Sequence, residues 1–144
     1  MRRYTFRRLI WAGPLATAAA TLADLIYFLV SRASGEEYLL PLDTNGSQLT
    51  PMPLLVPVLG ALIVGAMASL FFGVLLRYAR EPVTVFLSVA ITALILSFGG
   101  PFGIPAAALA TKLLLSGMNL LTALILTGGI LLFSRDKGPH PQRK

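Results

Sequence analysis

Four long apolar segments limit what this chain can fold into. They cover about residues 8–31, 52–76, 83–100 and 105–133 of 144. A helix needs about 20 apolar residues to cross the hydrocarbon of a bilayer, so each segment is near spanning length. Hydrophobic residues make up 56% of the chain and charged residues 12%, about half the charged share of a typical soluble domain. The sequence predicts an all-α polytopic membrane protein, a bundle of four transmembrane helices.

The rest of the chain is too short for a second domain. It comprises an outer loop at 32–51, two short turns and tails, the last of them a cytoplasmic tail at 134–144. The N-terminal basic run followed by an apolar run resembles a signal peptide, but the apolar run is longer than the ~7–15 residues of a signal core. We therefore predict an uncleaved first helix and a single membrane domain over 1–144.

The basic residues predict the orientation of the helices. Ten of the twelve fall on one side of the predicted membrane: Arg2, Arg3, Arg7, Arg8, Arg77, Arg80, Arg135, Lys137, Arg143 and Lys144. Cytoplasmic loops carry an excess of Lys and Arg. A multi-pass protein of the plasma (inner) membrane with both termini cytoplasmic (N-in/C-in) is expected. These residues are not interleaved with aromatic side chains as in nucleic-acid-binding surfaces, so lipid is the expected partner and nucleic acid is not.

The outer loop predicts a short hairpin or lid. Its run of turn-forming residues at 43–47 separates the apolar residues 38–40 from Leu49, and such runs mark turns. Pro82 and Pro105 are expected in first helical turns, where a missing N–H costs nothing. Pro14 should kink the first helix.

Two charged residues, Asp24 and Lys112, lie inside the apolar segments. Each is seven residues from the predicted outer end of its segment, which predicts about the same depth for both, roughly 10 Å below the outer boundary. They form a predicted intramembrane charge pair, a salt bridge between the first and fourth helices. Two interpretations are open: a structural clamp, or a proton- or ion-responsive pair facing water.

Polar residues extend the faces that carry these charges. Thr17 and Thr21 precede Asp24 at helical spacing, and Ser116 and Asn119 follow Lys112 in the same way. They are candidates for an outward polar pocket. The alternative is ordinary hydrogen bonding between membrane helices, to which Ser, Thr and Asn contribute about 0.6–2 kcal/mol each.

The second helix carries a stripe of small residues. Ala61, Gly65, Ser69 and Gly73 recur every four residues, a pattern that lets another helix backbone come close. The stripe predicts a helix-packing face. The sequence leaves open whether the packed helix belongs to this bundle, to a membrane-protein partner or to a second copy of the chain.

No residue pattern indicates an enzyme. The chain has no cysteine, which excludes thiol chemistry. Neither a carboxylate pair nor a Ser–His constellation occurs, and the single His140 lies in a Pro-rich basic tail. We predict no catalytic residue, no metal ligand and no cofactor.

Several of these segments together resemble a known family. They are residues 24–28 at the end of the first helix, the turn from Arg77 to Pro82 leading into residues 85–87, and residues 113–121 with Met118 and Asn119. The pattern resembles DUF6069, a family of small bacterial four-helix membrane proteins of unknown function. In that family an Asn is frequent where Asp24 stands and a His where Asn119 stands. The resemblance implies the fold alone.

The favoured function is therefore non-enzymatic. We expect a structural, accessory or assembly subunit that contacts lipid or a larger membrane partner through the face between Gly65 and Gly73. The alternative is a transporter of small solutes or ions that uses an outward polar pocket around Asp24 and Lys112. An enzyme with one of these two residues as acid or base ranks third, because the pair lacks a nucleophile or a metal.

Overall fold

The computed structural model describes residues 4–41, 49–104 and 107–135. Four helices dominate it: α1 (Phe6–Ala33), α2 (Leu55–Tyr78), α3 (Pro82–Phe102) and α4 (Leu109–Phe133). All four are long and apolar enough to cross a membrane. The predicted all-helical architecture with four helices of spanning length is thereby confirmed. The 43–47 turn, Pro105, His140 and the basic residues Arg2, Arg3, Lys137, Arg143 and Lys144 lie outside the described residues.

The helices run up and down, so that two helix starts and two helix ends meet at one end of the bundle. There the backbone N–H of Thr5 donates to the carbonyl of Ser134 at 3.3 Å. The rings of Tyr4 and Phe72 are 5.9 Å apart, and those of Phe72 and Phe86 are 4.8 Å apart. We call this the basic end. Its described basic residues are Arg7, Arg8, Arg77, Arg80 and Arg135.

Small residues let α1 pack closely between α2 and α4. A Cβ added at Gly65 would overlap the side chain of Thr17, and one at Gly129 would lie 2.7 Å from the Cβ of Ala16. In the same way, Gly13 leaves room for the hydroxyl of Ser69. Close contact of this kind maximises van der Waals attraction between helices. Most of the α2 stripe therefore packs against α1 of the same chain: Gly65, Ser69 and Gly73 all face it, and Ala61 is buried.

Helix α3 is the least buried of the four. It packs mainly against α4, with fewer contacts to α2, and its buried residues are Phe86 and Pro101. Pro82 opens it as predicted. The helix runs through Pro101 to Phe102, two residues past the predicted end at 100. Proline lacks one backbone N–H, and in the last turn of a helix this removes a single hydrogen bond, so the turn can still form.

A two-stranded hairpin covers the end opposite the basic end. Strands β1 (Leu39–Pro41) and β2 (Leu49–Pro51) pair antiparallel, with Leu40 opposite Thr50. Tyr38, just before β1, packs its ring 4.9 Å from that of Phe28 on α1. Met52 and Met118 complete a small apolar cluster with them. The structure places a hairpin where the 32–51 loop predicted one.

The glycines of α2 provide a test of the close packing. Replacing Gly65 by Ala should destabilise the fold by about 1–3 kcal/mol, because the new methyl group overlaps Thr17. Gly60 on the same helix has no neighbour within 4 Å of an added Cβ, so Gly60→Ala should be neutral or stabilise by up to about 1 kcal/mol. Thermal unfolding in mild detergent measures both. Equal effects of the two substitutions would contradict the α1–α2 contact.

Candidate functional site

Asp24 is the one carboxyl group that the described structure buries in the middle of the bundle. It lies nine residues before the end of α1 and is 3% exposed. The Thr122 hydroxyl on α4 donates to Asp24 Oδ2 at 2.5 Å. The same hydroxyl oxygen lies 3.0 Å from the backbone carbonyl of Met118. A side-chain hydrogen bond thus joins α1 to α4 in the apolar interior, where a polar group without a partner is costly.

The hydrogen bonds of this cluster depend on where its protons lie. Thr122 has one hydroxyl hydrogen and two acceptors within reach, Asp24 and the Met118 carbonyl. Both contacts are hydrogen bonds at once when Asp24 is itself protonated and donates to Thr122. The other carboxyl oxygen, Oδ1, is buried and has no hydrogen-bond partner. The cluster is chemically able to take up or release one proton.

The predicted salt bridge between Asp24 and Lys112 is wrong, because the helices are in a different register from the one assumed. The hydrogen bond between Asp24 and Thr122 places these two residues level with each other. Lys112 lies ten residues before Thr122, and α1 and α4 are antiparallel. Lys112 is therefore level with Ser34, ten residues after Asp24. Asp24 and Lys112 are thus separated by about 15 Å along the helix axis. Lys112 is half-buried near the N-terminal end of α4, and a lysine near the end of a membrane-spanning helix can reach the interface with its charged group.

Three of the predicted pocket residues are bonded within their own helices. Thr17 donates to the carbonyl of Gly13 at 2.8 Å, and Thr21 to that of Thr17 at 2.9 Å. Ser116 donates to the carbonyl of Lys112 at 2.8 Å. Bonds to the carbonyl four residues earlier satisfy a hydroxyl inside a helix without any other partner. Thr17 faces α2 whereas Asp24 faces α4, so the structure does not bring these side chains together in one pocket.

The side chain of Asn119 links α4 to α3 at a carbonyl four residues before Pro101. Its amide Nδ2 donates to the carbonyl of Ser97 at 3.4 Å. In a regular helix the backbone N–H of residue 101 would bond to that carbonyl, but Pro101 has no N–H. The amide thus supplies a donor to a carbonyl that the proline leaves without its usual partner. Asn119 therefore contacts a different helix from Asp24.

Sequence inspection missed Thr122, which holds the buried carboxyl group. The pattern that could have predicted Thr122 is the buried face of α4. This face carries Thr111, Met118, Thr122, Leu126 and Ile130 at helical spacing. That face lies next to the one defined by Lys112 and Ser116. The prediction placed the buried polar face of α4 on the side of Lys112, because a charge inside an apolar segment usually faces the bundle. A lysine near a helix end can instead extend its charged group to the interface.

Cavities lie at both ends of the bundle. The first, at the hairpin end, which is predicted to be the outer one, has a volume of about 180 Å³ and is lined by Phe28, Arg32, Gly35, Glu37, Tyr38, Pro51 and Met52. Burial raises the pKa of the Tyr38 hydroxyl, and the nearby Ser31 hydroxyl partly opposes the rise. The second, at the basic end, which is predicted to be the inner one, is a groove of about 740 Å³ along α1. Among the described residues, no group of three or more His, Cys, Asp or Glu side chains could hold a metal ion.

Comparison with known families places the chain in one of them. A family model matches residues 4–135, from the start of α1 to the end of α4. The chain belongs to DUF6069, a family of unknown function. No curated protein and no solved structure matches it. The predicted family is thereby confirmed.

Removing Thr122 should show what holds Asp24. Thr122→Val leaves the buried carboxyl group without its hydrogen-bond donor, so we expect a loss of about 1–3 kcal/mol of stability. Lys112→Met, the matched change near the helix end, should stay within about 0.5 kcal/mol. Thermal unfolding in mild detergent, with Asp24→Asn added to each variant as a double-mutant cycle, measures the coupling.

The cycle also tests the register of the two helices. Asp24→Asn should couple to Thr122→Val by at least about 0.5 kcal/mol and add independently to Lys112→Met. The opposite pattern, coupling to Lys112 with independence from Thr122, would mean that the two charges pair and that α1 and α4 are shifted relative to the structure.

Proposed function

We propose that this DUF6069 chain is a multi-pass protein of the plasma membrane that acts without catalysis, as a structural or accessory subunit. The observation that carries the proposal is the exposed apolar surface around the four helices. It includes large side chains on every helix: Trp11, Leu22, Ile26, Ile63, Met67, Leu70, Ile91, Ile95, Leu96, Leu113 and Leu124. A continuous apolar surface of this kind would be unfavourable in water, whereas lipid covers it at no cost.

The distribution of charge supports one orientation. The described basic residues other than Arg32 and Lys112 lie at the basic end, whereas Glu36 and Glu37 lie beside Arg32 in the sequence at the opposite end. The positive-inside bias then places the basic end, and with it both chain termini, in the cytoplasm. The hairpin and the outer cavity would face the outside.

Two features of the interior favour an accessory role. The side chains of Thr17 and Ser116 bond to their own helix, and those of Asn119 and Asp24 each bond to one neighbouring helix. The α2 stripe is occupied by α1, so it offers no surface to a partner. The broad open surface is that of α3, which buries Phe86 and Pro101 alone. A membrane partner or a second copy would make contact there.

The second candidate function is transport coupled to a proton. The observation that favours it is the buried Asp24, whose Oδ1 has no hydrogen-bond partner and whose Oδ2 shares Thr122 with a backbone carbonyl. Ionisable residues inside a bundle often mark proton or ion pathways. This function would require a path for water to Asp24, whereas the described structure leaves the residue 3% exposed.

Cysteine labelling tests the orientation, and the absence of native cysteine makes it direct. Glu37→Cys places a thiol in the outer loop, and Arg80→Cys places one in the turn between α2 and α3; both positions are exposed. In intact cells a membrane-impermeant maleimide should label the first and not the second, and after lysis it should label both. Labelling of both variants in intact cells would contradict the spanning topology, and the reverse pattern would contradict the orientation.

A proton-flux assay separates the two candidate functions. Purified protein is placed in vesicles loaded with a pH-sensitive dye, and a potassium gradient with valinomycin drives proton entry. An accessory protein should give the rate of protein-free vesicles, with no change on Asp24→Asn. A flux that Asp24→Asn abolishes and Lys112→Met preserves would instead establish transport and overturn the accessory role.

A further inference from the structure

The inner groove combines positive charge and apolar surface in a fixed order. It is lined by Thr5, Arg7, Arg8, Trp11, Ala12, Leu15 and Phe133. Arg7, Trp11 and Leu15 recur every four residues and so share one face of α1. Going from the basic end toward the middle of the bundle, this face presents a guanidinium group, then an indole ring, then an aliphatic chain. Successive members are about 6 Å apart along the axis.

That order matches the layers of one membrane leaflet. Arginine contacts lipid phosphate, tryptophan prefers the level of the headgroups, and leucine lies among the acyl chains. The groove walls are open: Trp11 is 79% exposed, and Leu15 and Phe133 are also exposed. Ala12 is buried and forms the floor between them. A small residue there gives the groove its depth, as a larger side chain would fill it.

The charge of the groove selects the kind of lipid. Among the residues that the structure describes, its lining includes two arginines and no carboxylate. Arg7 is exposed, and Arg8 donates to the backbone carbonyl of Arg135, which fixes the position of the Arg8 guanidinium beside the end of α4. Two neighbouring guanidinium groups at headgroup level favour a lipid with a net negative charge over a zwitterionic one.

We propose that this groove is a binding site for one anionic phospholipid of the cytoplasmic leaflet. The phosphate lies against Arg7 and Arg8, and an acyl chain runs over Trp11, Leu15 and Phe133. The site rests on the proposed function in one respect, the insertion of the bundle with its basic end inside. It gives that function a defined lipid contact, which the apolar surface alone does not.

The single tryptophan of the chain makes the site directly measurable. The protein is placed in phosphatidylcholine vesicles that contain phosphatidylglycerol at a fixed mole fraction. Bromine atoms on the acyl chains of one lipid or the other quench Trp11 fluorescence on contact. We expect brominated phosphatidylglycerol to quench Trp11 more than brominated phosphatidylcholine does at equal mole fraction. Arg7→Gln should lower this preference about fivefold, the effect of one basic residue at a charged surface.

Arg80→Gln provides the matched control. Arg80 lies at the same end with the same charge but does not line the groove, so its replacement should leave the preference unchanged. Equal quenching by both lipids would overturn the proposal. So would a preference that survives Arg7→Gln, or one that Arg80→Gln lowers as much.

Two further outcomes separate this proposal from its alternatives. Inorganic phosphate at matched ionic strength should leave the stronger quenching by brominated phosphatidylglycerol unchanged. If phosphate abolishes this difference, the arginines bind a soluble anion and the lipid site is overturned. Absence of quenching by either lipid would mean that Trp11 is outside the hydrocarbon, and the proposed membrane insertion would fail with the site. Equal quenching by both lipids, by contrast, leaves the insertion intact.

Discussion

The close approach of α1 to its two neighbours determines the rest of the structure. Lipid tails are as apolar as the helix surfaces, so burial of apolar area gives little drive for helices to associate inside a bilayer, and van der Waals contact has to hold them together. Residues with little or no side chain allow that contact. Gly65 of α2 leaves room for Thr17 of α1, and Gly129 of α4 leaves room for Ala16 of α1. Once α1 is fixed between α2 and α4, the register of both pairs is set.

That register explains the environment of Asp24. Because Ala16 lies against Gly129, Asp24 lies opposite Thr122 and far from Lys112. The carboxyl group then meets one hydroxyl hydrogen rather than a cation. A buried carboxyl group that is held by one hydroxyl differs from one in an ion pair, because no cation beside it favours the charged form. The same group can link two helices or bind a proton, and the accessory and transport proposals divide on this point.

The two ends of the bundle differ in ways that suggest different environments. The basic end carries arginines beside exposed aromatic and aliphatic side chains, and the other end is closed by a hairpin over an aromatic and methionine cluster. Negative lipid headgroups favour the first kind of surface. At the second, Tyr38 beside the hairpin packs its ring on Phe28 of α1. The lipid groove and the proposed orientation follow from this asymmetry together.

The amino-acid sequence by itself determined the number and approximate bounds of the helices, because spanning length and an apolar composition are local properties that need no partner. It also predicted the hairpin region, the helix start at Pro82 and the family, each from adjacent residues. The same local information could not place Asp24 relative to Lys112: α1 ends two residues later and α4 begins four residues later than predicted, and these two helix ends are not level with each other. Which side chains meet depends on helix register, and register is decided by how the small residues of three helices fit together. That fit is a property of the assembled bundle, so Thr122, the contact of Asn119 with the carbonyl freed by Pro101, and the groove beside Trp11 became visible in the tertiary structure alone.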